Sequence, residues 1–260
     1  MKKTLLATLL FAACATKPVA PPPCNPALAL VNAAAWMSTA AEYRASTMQT
    51  YAEARRALDA ALATAGNKPP AIILDLDETS IENLPFESRV IAQGKTFDQK
   101  TWSTWINESA ATPVPGAAEF LSYARSRGVT PFYITNRKAE EKAATRANLE
   151  KLGYPLDPSQ DTLLTRGERP EWSSADKTPR RDFVASRYRV LLFFGDDLND
   201  FTSAAGKSVD ERLAMIRANA DKWGSSWFIL PNPVYGSWEP AVAGSGTPCE
   251  QMQRKLEAVR

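Results

Sequence analysis

The sequence predicts an α/β protein, a three-layer α/β/α sandwich with a mainly parallel, Rossmann-like sheet. Two observations carry this. Four short apolar runs, "AIIL" from 71, "PFYIT" from 131, "VLLFF" from 190 and "WFIL" from 227, are continuous rather than alternating, as strands buried on both faces read. Helical stretches separate them, so each strand leads into a crossover rather than a hairpin. A chain of 260 residues, 44% hydrophobic and 23% charged, suits one globular domain with a sizeable core.

The N-terminus reads as an address. "MKKTLLATLLFAAC" has a basic start, an apolar run too short to span a bilayer, and small residues before a cysteine, the layout of a bacterial secretory signal. Residues 1–13 are expected to be a lipoprotein signal peptide and Cys14 the lipidated residue. Phe11 stands where such signals more often carry leucine, so an ordinary signal peptide is the alternative. Residues 14–25 are proline-rich and should form an extended tether holding the domain off a membrane. With Cys14 acylated, Cys24 and Cys249 remain as an even pair in an oxidising compartment. That suits a disulfide stapling the ends of the domain, with two free thiols as the alternative.

The domain is expected over 26–260. Trp36, Ala40, Tyr43, Thr47, Tyr51, Ala54, Leu58 and Leu62 recur every three or four residues, predicting one long amphipathic helix ending near Gly66 with these side chains in the core. Further helices are expected over 115–127 and 139–152, with Gly128 and Gly153 as stops.

Charge and composition exclude several functions. With Lys2 and Lys3 set aside, the basic residues balance the 29 acidic ones, which argues against a nucleic-acid polymer as partner. There is no histidine, which excludes Ser-His-Asp triads, histidine-based phosphatase chemistry, and histidine-ligated zinc or haem.

In such a sheet, ligands bind beyond the carboxyl ends of the strands. The residues there are Asp75 and Asp77 after the first run, Thr135 and Asn136 after the second, and Asp196, Asp197 and Asp200 after the third, with Lys177 between the last two sets. Singly each has a bland explanation as a cap, a turn or a solvated charge. Together they suit a phosphate monoester. Two carboxylates repel a dianion by about 4 kcal/mol per unit-charge pair at ~4 Å and an effective dielectric of ~20, so the site needs cations. Mg²⁺ takes hard oxygen ligands, Lys177 adds charge, and Thr135 and Asn136 donate to phosphoryl oxygens. One carboxylate would attack phosphorus while the other carries a proton to the leaving oxygen.

"DLDET", "ITNR", Lys177 and "GDDLND", in this order, resemble the four motifs of haloacid dehalogenase-like phosphohydrolases. "WMSTAAEYRA", "VPGAAEFLSYA", "FYITNRK", "GDDLNDF" and "WFILPNPVYGSWE" extend the similarity to the class C acid phosphatases, bacterial lipoproteins of that superfamily, over nearly all of 36–240. The resemblance implies Asp75 as nucleophile and metal ligand, Asp77 as general acid and base whose backbone carbonyl also binds Mg²⁺, and Asp196 as the third metal ligand. It implies Thr135, Asn136 and Lys177 as phosphate ligands, and Asp200 orienting a metal-bound water or Lys177. Asp197 is an alternative to Asp196, and Arg180 or Arg181 to Lys177. Residues 80–112 should form a small, mostly helical cap carrying Phe86, Trp102 and Trp105, either as its own core or, with Tyr235, around the leaving group.

The expected protein is therefore a Mg²⁺-dependent acid phosphatase, lipid-anchored at a bacterial outer membrane and favouring nucleoside 5′-monophosphates. Hydrolysis of other small esters, phosphotransfer to an alcohol, and a non-catalytic binding lipoprotein are the alternatives. Self-association into a homo-oligomer stays open.

Overall fold

The computed structural model describes residues 24–260; Cys14 and the signal segment lie outside the described residues. After a short 3₁₀ turn, Pro26–Leu30, the chain forms α1 (Val31–Thr39) and α2 (Ala41–Leu62). These are two helices where the apolar stripe predicts one. Ala40 takes an extended conformation (φ −75°, ψ 129°) and turns the chain between them. No glycine or proline marks that break. It lets α1 pack against α3 while α2 runs over the sheet, with Tyr43, Thr47, Tyr51, Ala54 and Leu58 all buried. Trp36 is left exposed, its ring edge-on to Tyr43.

β1 (Pro70–Leu74) leads to β2 (Ile81–Glu82), then α3 (Leu84–Ala92), α4 (Gln99–Glu108) and β3 (Thr112–Pro113). β2 and β3 pair antiparallel, closing the base of a lobe that holds α3 and α4. Next come α5 (Ala117–Ser126), β4 (Thr130–Lys138), α6 (Lys142–Lys151), β5 (Leu163–Arg166), α7 (Thr178–Ala185) and β6 (Arg189–Gly195). α8 (Val209–Ala218), β7 (Trp227–Ile229), α9 (Trp238–Ala243) and α10 (Pro248–Ala258) complete the chain. No described helix is long and apolar enough to cross a membrane.

The main sheet has the order β5-β4-β1-β6-β7, parallel throughout. The four apolar runs are β1, β4, β6 and β7. The edge strand β5 escapes the sequence reading because "LLTR" offers only two apolar residues before it turns polar. Helices cover both faces, so alternate β1 side chains enter different cores. Ile72 and Leu74 join Tyr51, Leu58, Phe120 and Phe194 on one side. Ala71 and Ile73 join Phe132, Ile134, Trp172 and Val184 on the other.

Strand β1 is central, and the chain leaves it to build β4 on one flank and β6 on the other. Open α/β sheets place their ligand crevice at such a reversal. Cys24 and Cys249 form a disulfide that ties the start of the described chain to α10.

Candidate active site

The tip of β1 runs straight into "DLDET". The Asp75 amide donates to the Phe194 carbonyl of β6 at 3.0 Å, continuing the strand pairing by one residue. The chain then turns back on itself. Leu76 O accepts from the amides of Ser80 and Ile81 at 2.8 and 2.9 Å, and Glu78 sits in the left-handed region at φ 56°. Such a conformation in a non-glycine residue costs on the order of 1–3 kcal/mol and needs support from its surroundings. The buried Glu78 carboxylate supplies it, accepting from the Asn83 amide at 2.7 Å. Two tyrosines pin the same loop: Tyr51 of α2 donates to Thr79 O at 2.7 Å and Tyr154 to Ser80 O at 2.6 Å.

Lys177, at the start of α7, is 4% exposed and donates to Asp75 Oδ1 and, at 2.6 Å, to Asp200 Oδ1. Asp75, Asp196 and Asp200 bring one carboxylate oxygen each to within 4.8 Å of one another. Asp196 is held by Thr79 Oγ1 at 3.0 Å and Asn232 Nδ2 at 2.9 Å. Asp200 approaches so closely under the end of β6 that a Cβ on Gly195 would lie 2.3 Å from its own Cβ.

These contacts separate neighbours that are indistinguishable in sequence. Asp197 turns away from the cluster and accepts from the Ser237 amide and hydroxyl, both at 2.5 Å, and from the Asn199 amide. It fixes the loop before α9. Arg180 is fully buried and bonds Thr135 O and Asn136 Oδ1, while Arg181 bonds Asn199 O at 2.8 Å and Asp200 O at 3.2 Å. Of the three cations near 177–181, only Lys177 reaches Asp75. The arginines brace the loops on either side of it.

Asp77 makes a different set of bonds. Arg137 donates to its Oδ1 from Nη2 at 2.7 Å and from Nε at 3.0 Å, and Asn83 Nδ2 adds a third at 2.9 Å. Arg137 lies inside "ITNR" yet was not singled out from sequence. Arg166, at the end of the missed strand β5, was not either, and both line the cleft.

Burial and mutual repulsion set the electrostatics. Burial pushes the Asp75 carboxyl up to about 7; Lys177 pulls it down, and Asp200 and Asp77 push it up again. Asp196 is raised by burial and then by Asp200 and Asp75. Burial would lower Lys177, but Asp200 and Asp75 outweigh it and hold the ammonium above its ordinary range. Three carboxylates facing one lysine are a hard-oxygen donor set short of positive charge, which fits a divalent cation such as Mg²⁺.

The aspartates line a cavity of about 740 Å³ whose lining also includes Phe97 and Trp102 from the lobe, Tyr235, and residues of α9 and α10. Asn136 lines it, its amide donating to Ala175 O at 3.1 Å; Thr135 is fully buried and its hydroxyl accepts from the Arg137 amide at 3.1 Å. Phe86 and Trp105 are not brought to the cavity. Phe86 packs edge-on beneath Trp102 at 4.9 Å, and the Trp105 indole donates to Asn83 Oδ1 at 2.8 Å inside the lobe. Phe97, 59% exposed, takes the place at the cleft that these two were expected to fill.

The family model for the HAD superfamily, subfamily IIIB (Acid phosphatase), matches residues 10–238. The chain belongs to this family. Its fold is that of the class C acid phosphatase from Bacillus anthracis, with a TM-score of 0.84 and 35% identity over 91% of this chain and 99% of that one. The same Bacillus anthracis enzyme with tungstate bound superposes with a TM-score of 0.83 at 36% identity, covering 90% of this chain and 98% of that one. Plant relatives are more distant. Stem 28 kDa glycoprotein of Glycine max is 22% identical over 173 residues, and Acid phosphatase 1 of Solanum lycopersicum 25% identical over 166. Both alignments cover 63% of this chain, and they span 58% and 57% of the plant proteins, less than two thirds of their length.

Proposed function

We propose that this protein is an acid phosphatase that hydrolyses phosphomonoesters, with nucleoside 5′-monophosphates as its preferred class, through an aspartyl-phosphate on Asp75. The observation that carries the reading is Lys177 bridging Asp75 and Asp200 at the tip of β1, with Asp196 alongside. A nucleophile, a fixed cation and a metal-ligand set meet there in one crevice. The tungstate bound by the Bacillus anthracis relative, a tetrahedral oxyanion like phosphate, supports the same reading.

Asp75 attacks phosphorus along the line away from the leaving oxygen, and Asp77 passes that oxygen a proton as its bond to phosphorus breaks. Water then attacks the acyl phosphate, with Asp77 taking the proton back. Lys177 and the amides around 135–136 balance charge on the phosphoryl oxygens. Asp75, Asp196 and Asp200 would hold Mg²⁺, which when bound offsets the repulsion between carboxylates and the phosphate dianion. Trp102, Phe97 and Tyr235 offer the leaving group aromatic surface, which suits a base because stacking tolerates every ring system.

The same proposal places the protein as a lipid-anchored chain on a bacterial outer membrane, held through Cys14. Cys14→Ser should move it out of the membrane fraction. Turnover of 4-nitrophenyl phosphate and of nucleoside 5′-monophosphates, measured with Mg²⁺ and then in excess EDTA, tests the function. Loss in EDTA with recovery on adding Mg²⁺ is expected, and full activity in chelator overturns the metal-assisted mechanism.

A further inference from the structure

Part of the cleft's lining comes from elements far apart in sequence. Glu87 comes from α3, Glu239 from α9 and Lys255 from α10, and all three line the cavity. The disulfide joins α10 to the residues just before the 3₁₀ turn whose Pro26, Ala29 and Leu30 line the same cavity. Lys255 is paired with Glu239. Glu87 is 7% exposed, and no hydrogen bond or ion pair reaches its carboxylate from the described residues.

A buried carboxylate without a donor is costly, and a folded chain keeps one where something else completes it. The Tyr235 hydroxyl, from the loop before α9, is buried and likewise without a partner among the described residues. Glu87 therefore lines the cavity with no donor from the described residues, in the same lining as the aromatic surface of Phe97 and Trp102. Lys255, a cation lining the same cavity, is paired with Glu239, so the donor that Glu87 takes comes from water or from a bound ligand.

We infer that Glu87 forms a second recognition point in the cleft, an acceptor that takes a hydrogen-bond donor, hydroxyl or ammonium, on the leaving group of a bound phosphomonoester. This rests on the phosphatase reading above and deepens it. The aspartate cluster recognises the phosphate common to every ester, and Glu87 selects among what the phosphate is attached to. Esters whose leaving group is apolar fill the cavity but leave the carboxylate unpaired, and the enzyme discriminates against them for that reason.

The test uses two matched pairs on the intact protein. Adenosine 5′-monophosphate against its 2′,3′-dideoxy counterpart isolates hydroxyl donors, and 6-aminohexyl phosphate against hexyl phosphate isolates an ammonium. In the wild type, at least one pair should show a kcat/KM ratio of about ten or more in favour of the donor-bearing member. Glu87→Leu should bring that ratio close to one. Glu87→Gln keeps an acceptor without the charge, so it should preserve most of a hydroxyl preference and lose an ammonium preference; it also serves if the leucine variant does not fold. A wild-type ratio near one in both pairs, or a ratio that survives Glu87→Leu, overturns the inference while leaving hydrolysis intact. Absence of turnover on all four esters and on 4-nitrophenyl phosphate would remove the phosphatase reading and this subsite with it.

Discussion

Arg137 grips one oxygen of Asp77 with two nitrogens, Nη2 at 2.7 Å and Nε at 3.0 Å. The guanidinium is itself fixed, bonding Asn83 Oδ1 at 3.2 Å and lying 5.6 Å from the Trp102 ring. The proposed proton carrier is thus aimed by a side chain that is only 2% exposed and has little freedom of its own.

Positioning of Asp77 has a kinetic signature. Arg137→Ala should slow alkyl phosphates by about 10- to 100-fold, part of the ~10²–10⁴ that general acid catalysis contributes, and slow aryl phosphates much less because their leaving group departs without a proton. The measurement is kcat against leaving-group pKa, whose slope should steepen in the variant. An equal drop for every ester would mean that Arg137 acts on the phosphate rather than on the proton.

The second prediction concerns Gly195. A methyl there would fall 2.3 Å from both Cβ and Oδ2 of Asp200, so Asp200 has to move. Because Asp200 shares Lys177 with Asp75, Gly195→Ala should cost activity as well as roughly 1–3 kcal/mol of stability from overpacking. Calorimetry should show Tm lower by several degrees, with kcat reduced at saturating Mg²⁺. A lowered Tm with unchanged kcat would show that the Lys177 bridge tolerates the displacement.

The third prediction separates lining aromatics from buried ones. Trp102→Ala and Phe97→Ala should reduce the kcat/KM ratio of nucleotides over glycerol phosphate by roughly 5- to 150-fold in total, the range expected for lost base stacking. Trp105→Ala should instead cost about 3–5 kcal/mol of stability with the ratio retained, because its ring lies inside the lobe. Selectivity lost in Trp105→Ala but not in the other two would reverse the assignment.

These contrasts mark where the sequence stops being informative. The sheet was legible because β1, β4, β6 and β7 are continuous apolar runs, and a doubly covered parallel strand has no other way to read. Strand β5 was not, since an edge strand needs fewer apolar residues, and the break at Ala40 was not, since it is made by tertiary packing without glycine or proline. In the site, residue type at strand ends pointed to Asp75, Asp196 and Asp200, and the order of the motifs pointed to Lys177 between two of them. Which of two adjacent aspartates faces the cluster, or which of Lys177, Arg180 and Arg181 reaches it, depends on side-chain direction, which spacing does not encode. The grouping of Glu87, Glu239 and Lys255 was invisible for a further reason: they line one cavity through α10 packing beside α9 and the 3₁₀ turn.

The disulfide spans that packing of α10. Cys24 and Cys249 are 225 residues apart, so joining them closes nearly the whole domain into a loop, and removing the bond should cost about 2–5 kcal/mol. Cys24→Ser with Cys249→Ser should lower Tm by roughly 5–15 °C. A reductant should lower Tm of the wild type by a similar amount and leave the double variant unaffected. Equal melting of wild type and double variant would show that packing of α10 alone holds this part of the lining.

The last prediction uses the cost of keeping Glu87 unpaired. Burial, with added repulsion from Glu239, pushes its carboxyl up to about 7 from an ordinary value of 4.5. The folded state therefore holds a proton that the unfolded chain has released across this interval. Its contribution to stability is full below pH ~4.5 and is lost as pH rises through ~7, amounting to on the order of 3 kcal/mol. Glu87→Gln does not titrate and escapes that loss. Chemical denaturation of both proteins between pH 4.5 and 8 should show the variant gaining on the wild type as pH rises, with the difference levelling above ~7.5. Glu239 and Lys255, the charged pair facing Glu87, are common to both proteins and cancel in the comparison. Parallel stability curves would mean that Glu87 already has a partner in the free protein, and the carboxylate would then have no unmet need for a ligand to satisfy.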